Sequence, residues 1–187
     1  QKVALFRAIQ LFNDGDYDTA DEYFDIAIES PRDTSITARA IFWKAETNYL
    51  SNNFKEALTG FQQFKNMNAS TLAENEFIDY NIAYSYFKLK DYNRAGDEFQ
   101  SFVNSNPDDE NKLNDAYLRL GDAYYVSSNY NKAITAYNRV INNKGIDRDY
   151  AHFQRAMSYG FIRKNNAKID DFNAFLKAYP KSTLRDD

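Results

Sequence analysis

The side chains that usually carry catalysis or bind metals are sparse in this sequence of 187 residues. Cysteine is absent, which excludes disulfides, thiolate metal sites and cysteine nucleophiles. His152 is the only histidine, so the sequence offers no multi-histidine metal site and no evident partner for a nucleophile. It also contains no phosphate-binding loop, nucleophile elbow or zinc motif. We therefore expect no enzyme activity, no cofactor and no bound metal.

Three aspartates at alternate positions, from Asp14 to Asp18, make the stretch NDGDYDTAD similar to a calcium-binding loop. Such a loop requires a glycine at its sixth position and a bidentate glutamate at its twelfth. This sequence has Thr19 and Asp25 there, so a turn between two helices explains the stretch better. The carboxylates of PDDEN (107–111) fit a helix N-terminus, where negative charge is stabilising.

Composition and charge narrow the class of protein. The formal net charge is −4, the pI is about 5.1, and Lys and Arg are scattered without a polybasic run. A nucleic-acid partner needs a basic surface and is therefore disfavoured. No stretch approaches the roughly 18 uninterrupted apolar residues of a membrane-spanning helix, so we expect no membrane insertion. Aromatic residues make up 17% of the chain, and their spacing is the strongest signal in it.

One pattern occurs four times, in segments that begin at residues 15, 52, 90 and 128, or 37 to 38 residues apart. The segments are GDYDTADEYF, NNFKEALTGF, KDYNRAGDEF and SNYNKAITAY. Each has an aromatic residue, an alanine three positions later and a second aromatic four further on. A small residue stands nine positions before each first aromatic: Ala8, Ala45, Ala83 and Gly121. Apolar residues at helical spacing surround these positions, so each unit is predicted to be a helix, a short turn and a second helix.

The stretch YLRLGDAYYVSSNYNKAITAY (117–137) resembles the tetratricopeptide repeat. The residues that fill the positions of this motif are Tyr117, Leu120, Gly121, Tyr124, Ala133 and Tyr137. The resemblance implies an all-α, right-handed superhelical solenoid of about five helix-turn-helix repeats, or ten helices. A fifth unit departs from the pattern at Lys168, where the small residue of the second helix would stand.

The resemblance covers nearly the whole chain and predicts a single array over residues 1–187. The expected repeats span approximately residues 1–34, 35–70, 71–107, 108–145 and 146–180, and residues 181–187 would start a further helix. The sequence begins without Met and ends abruptly, from which we expect a segment of a longer protein.

In this family the first helix of each unit lines a concave groove, which implies where a partner would bind. The positions that correspond are strongly aromatic in this sequence. They are Arg39, Phe42, Trp43, Glu46, Tyr49, Tyr80, Asn81, Tyr84, Phe87, Arg119, Asp122, Tyr125 and Phe153. Tyrosine and tryptophan combine large contact area with a polar group and dominate binding hot spots. The alternative, that many of these aromatics are core residues of the repeat, stays open on sequence alone.

Our first hypothesis is a non-enzymatic scaffold that binds a protein or peptide in the aromatic groove. The alternative is a structural spacer or self-association segment of a larger cell-envelope protein, with apolar terminal helices exposed. An enzyme or sugar-binding accessory is a third hypothesis, because aromatic side chains can stack on sugars. The long units and the stretch KAYPKS (177–182) resemble repeat proteins of the bacterial cell envelope, such as outer-membrane assembly and TolA-binding types. The periplasm or cell envelope is the expected location.

Overall fold

The computed structural model describes residues 1–29, 32–67, 70–143 and 146–185. These described residues form ten α-helices and contain no β-strand, as the repeat pattern predicts. Short 3-10 helices at Ala73–Phe77 and Thr183–Arg185 complete the regular structure. The α-helices are α1 Lys2–Asn13, α2 Tyr17–Glu29, α3 Thr34–Leu50, α4 Phe54–Asn66, α5 Ile78–Lys88, α6 Tyr92–Asn104, α7 Glu110–Val126, α8 Tyr130–Asn142, α9 Arg148–Phe161 and α10 Asn165–Ala178.

The chain divides into two compact units, residues 1–91 with α1 to α5 and residues 92–187 with α6 to α10. Within each unit, helices that are consecutive in the sequence pack against each other. The division falls between the two helices of the third predicted repeat. The predicted repeat boundaries after residues 34, 70 and 107 lie in or next to the connections between helix pairs, and residue 145 lies outside the described residues.

The same turn joins the two helices of every predicted repeat. One residue has a positive φ, and its N–H donates to the carbonyl three residues back, while the next N–H donates to the carbonyl five residues back. In the fourth repeat these bonds run from Ser128 to Tyr125 at 3.0 Å and from Asn129 to Tyr124 at 2.7 Å. This is the Schellman ending of a helix, which favours glycine at the positive-φ position. The five positions are Gly15, Asn52, Lys90, Ser128 and Arg163.

The N-caps follow the sequence expectation only in part. Asp109 caps α7, because its carboxylate accepts the backbone N–H groups of Asn111 and Lys112 at 3.1 and 3.0 Å. These hydrogen bonds, led by the one from Lys112, lower the pKa of Asp109. The turn residues Asn53 and Asn129 make no side-chain cap bond, although asparagine is a favoured N-cap residue. Their backbone geometry is fixed by the Schellman turn instead.

The small residues allow the two helices of a pair to approach closely. The helical alanines of the motif are almost completely buried. Gly121 is the tightest position: a Cβ added there would lie 2.5 Å from a ring carbon of the buried Tyr137. In the last pair, Gly160 accommodates the departure at Lys168, since a Cβ on Gly160 would lie 3.1 Å from the Lys168 side chain. The aliphatic part of the Lys168 side chain therefore packs beside Gly160, where the other first helices have an aromatic residue.

Candidate functional site

A cavity of about 220 Å³ lies between α3 and α5 in the first unit. Both helices are the first helices of their repeats, which is where the resemblance places a partner. The lining residues are Glu46, Tyr49, Phe61, Tyr80, Asn81 and Tyr84. All except Phe61 belong to the predicted groove, and Phe61 is the fully buried aromatic of α4 that lies beneath them.

Contacts between side chains hold the walls of this cavity in place. The Asn81 amide donates to the Glu46 carboxylate and so connects α5 to α3. The rings of Tyr80 and Tyr84 meet edge to face with centroids 4.9 Å apart. The Tyr49 ring packs on Phe54 of α4 at 5.3 Å. The cavity therefore has side chains whose positions are fixed before any partner arrives, which lowers the entropic cost of binding.

Arg39 and Trp43 of α3 are joined by Glu74, a residue that the sequence analysis did not single out. One carboxylate oxygen of Glu74 accepts from Arg39 Nε at 2.8 Å and from the indole N–H of Trp43 at 3.2 Å. Trp43 also meets Phe12 of α1 edge to face at 5.3 Å. Glu74 lies in the 3-10 helix before α5, so this cluster fixes that connection onto α3. Glu74 belongs to a connecting segment without helical periodicity, so the sequence does not indicate its contact with Arg39 and Trp43.

Phe42 and Asp122, both assigned to the groove from sequence, are buried. Phe42 packs on Phe61 and Phe64 of α4, with ring centroids 5.6 and 5.2 Å apart. Asp122 accepts the hydroxyl of Tyr137 at 2.9 Å. Both side chains make interior contacts of their own unit, and we leave them out of the binding surface proposed below.

Asp122 is the centre of a hydrogen-bond network in the second unit. Besides Tyr137 of α8, it accepts from Tyr150 of α9 at 3.1 Å and from Arg119 of α7 at 3.0 Å. Burial raises the pKa of Asp122, although the hydrogen bonds and the charge of Arg119 oppose this shift. Burial and the neighbouring carboxylate raise the pKa of Tyr150 to about 12 and also raise the pKa of Tyr137. The network therefore connects three helices through one buried carboxylate.

Tyr125, Phe153 and Phe87, which the sequence also assigns to the groove, lie outside the α3–α5 cavity. Tyr125 meets Phe161 edge to face at 5.6 Å, and the exposed Phe161 stacks on Tyr130 at 4.6 Å. Phe153 lines a second cavity of about 450 Å³ between α9 and α10. Phe87 of α5 is half-buried and does not line the α3–α5 cavity.

His152, the histidine for which the sequence predicts no metal site, is buried in an ion network. Its Nε2 lies 2.7 Å from Asp171, and Arg155 Nε lies 2.8 Å from the same carboxylate. Burial would raise the pKa of Asp171, but the hydrogen bonds from His152 and Arg155 outweigh burial and lower it. His152 Nδ1 makes no hydrogen bond. The contact with Asp171 joins α9 to α10, and we assign His152 a structural role.

A family model described as the tetratricopeptide repeat matches residues 79–109 and 115–143. The chain therefore contains tetratricopeptide repeats (TPR) within residues 79–143. The matched segments cover parts of four helices, and the same turn and small-residue contacts recur in the other helix pairs of this TPR chain. Within the described residues, none of the TPR helices combines the length and apolar character needed to cross a membrane.

Solved structures share the fold of this TPR chain over nearly its whole length. The MamA protein is 18% identical with a TM-score of 0.77, over 96% of this chain and 92% of MamA. YrrB, described as a TPR protein with an unusual peptide-binding site, is 18% identical with a TM-score of 0.80, over 97% of this chain and 87% of YrrB. A tetratricopeptide repeat protein from Parabacteroides merdae is 17% identical with a TM-score of 0.74, over 97% of this chain and 67% of that protein. A search of curated protein sequences finds no significant match.

Proposed function

We propose that this TPR chain is a non-enzymatic scaffold that binds a peptide segment of a protein partner, with one large side chain of that peptide in the α3–α5 cavity. The observation that carries the proposal is the cavity itself, because five residues assigned to the groove by the repeat register line it together. Its volume of about 220 Å³ is below the range of roughly 300–1,000 Å³ that is typical of small-molecule sites. One inserted side chain suits this volume better than a whole cofactor.

The chemistry of the lining supports a peptide as the ligand. The rings of Tyr49, Tyr80 and Tyr84 offer rigid contact area at low entropic cost. The Asn81 amide and the Glu46 carboxylate add polar groups, of the kind that fix the orientation of a bound backbone. YrrB, a neighbour in fold, is described as having a peptide-binding site, which is consistent with this use of the TPR fold.

Selection of peptides from a display library against the whole chain, followed by titration calorimetry, tests the proposal. Tyr84→Ala should weaken binding of a selected peptide by about tenfold or more, which corresponds to at least 1.4 kcal/mol of binding free energy. Tyr84→Phe keeps the ring and should retain most of the affinity. Tyr23→Ala is the matched control, because Tyr23 is a half-buried tyrosine of the same unit that lies away from the cavity.

Each variant must first show the circular dichroism spectrum of the parent chain. If Tyr84→Ala folds and binds every selected peptide as tightly as the parent, the α3–α5 cavity is not the binding site. If Tyr23→Ala weakens binding as much as Tyr84→Ala, the loss reflects general destabilisation and contradicts the proposed site.

A second candidate function is self-association within a larger assembly. The observation that favours it is the exposure of apolar side chains on α1 and α10, such as Val3 and Ile169.

A further inference from the structure

The α3–α5 cavity places one carboxylate among aromatic rings. Of the described first-unit residues that line it, Glu46 is the only charged one. The other lining residues include three tyrosines and the buried Phe61. The face of an aromatic ring carries partial negative charge from its π electrons. The carboxylate and the rings therefore favour the same kind of occupant, which is a positively charged group.

The hydrogen bond between Asn81 and Glu46 holds this carboxylate in the wall of the cavity. The Asn81 amide donates to one carboxylate oxygen of Glu46. A carboxylate has two oxygens with about four lone-pair sites in all, so it can accept several hydrogen bonds at once. A hydrogen bond between a cation and a carboxylate is roughly twice as strong as one between neutral groups. A cation in the cavity would therefore gain a strong contact with a carboxylate that is already oriented.

Other classes of side chain fit this cavity less well. An acidic side chain would bring a second negative charge close to Glu46, and like charges in a partly buried site repel each other. A leucine or phenylalanine side chain would remove water from Glu46 and Asn81 without replacing the lost hydrogen bonds. A basic side chain avoids both costs, because its aliphatic stem covers the rings while its charged end meets the carboxylate.

Arginine suits the cavity better than lysine. Its guanidinium group is planar and stacks on aromatic faces, and it is more weakly hydrated than an ammonium group. An arginine side chain therefore loses less free energy when it leaves water for a partly buried site between tyrosine rings.

The chain makes both kinds of contact elsewhere with its own basic residues. Arg39 of α3 donates from Nε to Glu74 at 2.8 Å, and the same carboxylate oxygen accepts from the indole N–H of Trp43. In the second unit, Lys132 Nζ lies 5.2 Å from the centroid of the Tyr124 ring, within the roughly 6 Å of a cation–π contact. A bound arginine would repeat these contacts in the cavity.

The basic residues of α3 and α5 oppose a positive occupant only weakly. They are Arg39, Lys44 and Lys88, and none of them lines the cavity. Arg39 and Lys44 are each paired with an acidic residue, so each pair is close to neutral as a whole. Lys88 is exposed and lies over the Phe54 ring, 5.9 Å from its centroid, where solvent and salt screen its charge. The formal net charge of −4 adds a general attraction for basic segments.

We propose that the α3–α5 cavity selects a basic side chain of the partner, arginine ahead of lysine, which the Glu46 carboxylate and the rings of Tyr80 and Tyr84 hold. This inference rests on the proposed function, because it names the side chain of the bound peptide that enters the cavity. The partner of this TPR chain is accordingly a protein with an exposed basic segment.

A double-mutant cycle between Glu46 and the peptide tests the role of charge. Peptides selected by display against the whole chain, and shown to require Tyr84, are synthesised again with citrulline in place of each arginine in turn. Citrulline has nearly the shape of arginine but no charge. One such replacement should weaken binding to the parent chain by about tenfold or more in titration calorimetry. Lysine at the same position should bind more tightly than citrulline and less tightly than arginine.

The cycle is completed with Glu46→Gln. This variant should weaken binding of the arginine peptide by about tenfold or more and leave binding of the citrulline peptide unchanged, because the charge pair is then already lost. Glutamine keeps the length of the side chain and an oxygen that can accept from the Asn81 amide. If Glu46→Gln does not fold, the comparison of the arginine and citrulline peptides on the parent chain still decides whether the cavity selects a positive charge.

Glu56→Gln is the matched control for Glu46→Gln. Glu56 is an exposed glutamate of α4 in the same unit and does not line the α3–α5 cavity. Its replacement removes the same charge from the chain and should leave the affinity for the arginine peptide unchanged. An equal loss of affinity in Glu56→Gln and Glu46→Gln would show a general effect of net charge and would contradict the contact with Glu46.

The remaining outcomes separate this inference from the proposed function. If binding requires Tyr84 but the citrulline peptides bind as tightly as the arginine peptide, the cavity binds peptides and its selectivity for a basic side chain is wrong. Selection of Tyr84-dependent peptides that contain neither arginine nor lysine leads to the same conclusion. If citrulline weakens binding to the parent chain and to Glu46→Gln by equal factors, the role of Glu46 is wrong. If no selected peptide depends on Tyr84, the proposed function fails, and this inference fails with it.

Discussion

Any larger side chain at Gly121 should lower the free energy of unfolding, and the distances to Tyr137 indicate by how much. In Gly121→Ala the new Cβ would lie 2.5 to 2.9 Å from three ring carbons of Tyr137, so the ring must shift by about 1 Å to reach ordinary contact distance. Tyr137 is fully buried and its hydroxyl donates to Asp122 at 2.9 Å. A shift of the ring therefore strains both packing and a buried hydrogen bond.

Two opposing terms decide the sign of this substitution. Overpacking costs about 1–3 kcal/mol, whereas replacing glycine by alanine inside a helix gains about 1 kcal/mol. The expected net loss is about 1 kcal/mol, or a decrease in Tm of about 2–4 °C for a chain of this size. Gly121→Leu adds more atoms to the same contact and should cost more than Gly121→Ala.

Gly96→Ala is the matched control for this prediction. A Cβ at Gly96 would meet the Tyr124 ring at 3.4 Å, an ordinary contact distance, so only the gain in helix propensity remains. It should stabilise the chain by about 0.5–1 kcal/mol. Thermal and urea unfolding, followed by circular dichroism, compare the two variants. An increase in Tm for Gly121→Ala similar to that of Gly96→Ala would refute the packing argument.

Three further predictions concern the turns and the buried carboxylates. Ser128→Gly and Arg163→Gly remove the strain of a left-handed residue, and each should raise the free energy of unfolding in urea by about 1 kcal/mol; a loss would contradict the Schellman geometry. Tyr137→Phe deprives buried Asp122 of a donor and should lower that free energy by about 1–3 kcal/mol. The two aspartates should affect the pH dependence of stability with opposite signs, measured by urea unfolding across a pH series. The pKa of Asp171 lies below its ordinary 3.8, so its contribution is present above pH 3.8 and is lost as pH falls through the folded pKa. The pKa of Asp122 lies above 3.8, so its contribution is complete below pH 3.8 and is lost as pH rises through the folded pKa. Replacement by asparagine should flatten the respective slope, and a slope of the other sign would contradict the assignment.

The helix pairs were predictable because each depends on a local spacing. In each pattern the alanine and the second aromatic, such as Ala133 and Tyr137, are fully buried in the core. The same register assigns Tyr80 and Tyr84 to the groove, and both residues line the α3–α5 cavity. These predictions need only the period of the helix and the position of the turn.

Other features depend on contacts that the helical period does not specify. The repeat register assigns Phe42 to the groove, but α3 packs on both α2 and α4, and Phe42 contacts Phe64 of α4. Glu74 reaches Arg39 and Trp43 from a connecting segment, where no periodicity applies. His152 is buried beside Asp171, a residue of the next helix, and the spacing within α9 does not indicate this contact.

The Asp122 network has a consequence for how the second unit opens. One carboxylate holds Arg119 of α7, Tyr137 of α8 and Tyr150 of α9, so α9 cannot detach without depriving the others of part of a satisfied buried cluster. Repeat arrays often fray one helix pair at a time from their ends. Here the three helices are coupled into one cooperative block, and the slowest amide hydrogen exchange of the unit should span α7 to α9 together rather than stop at the boundary of a repeat.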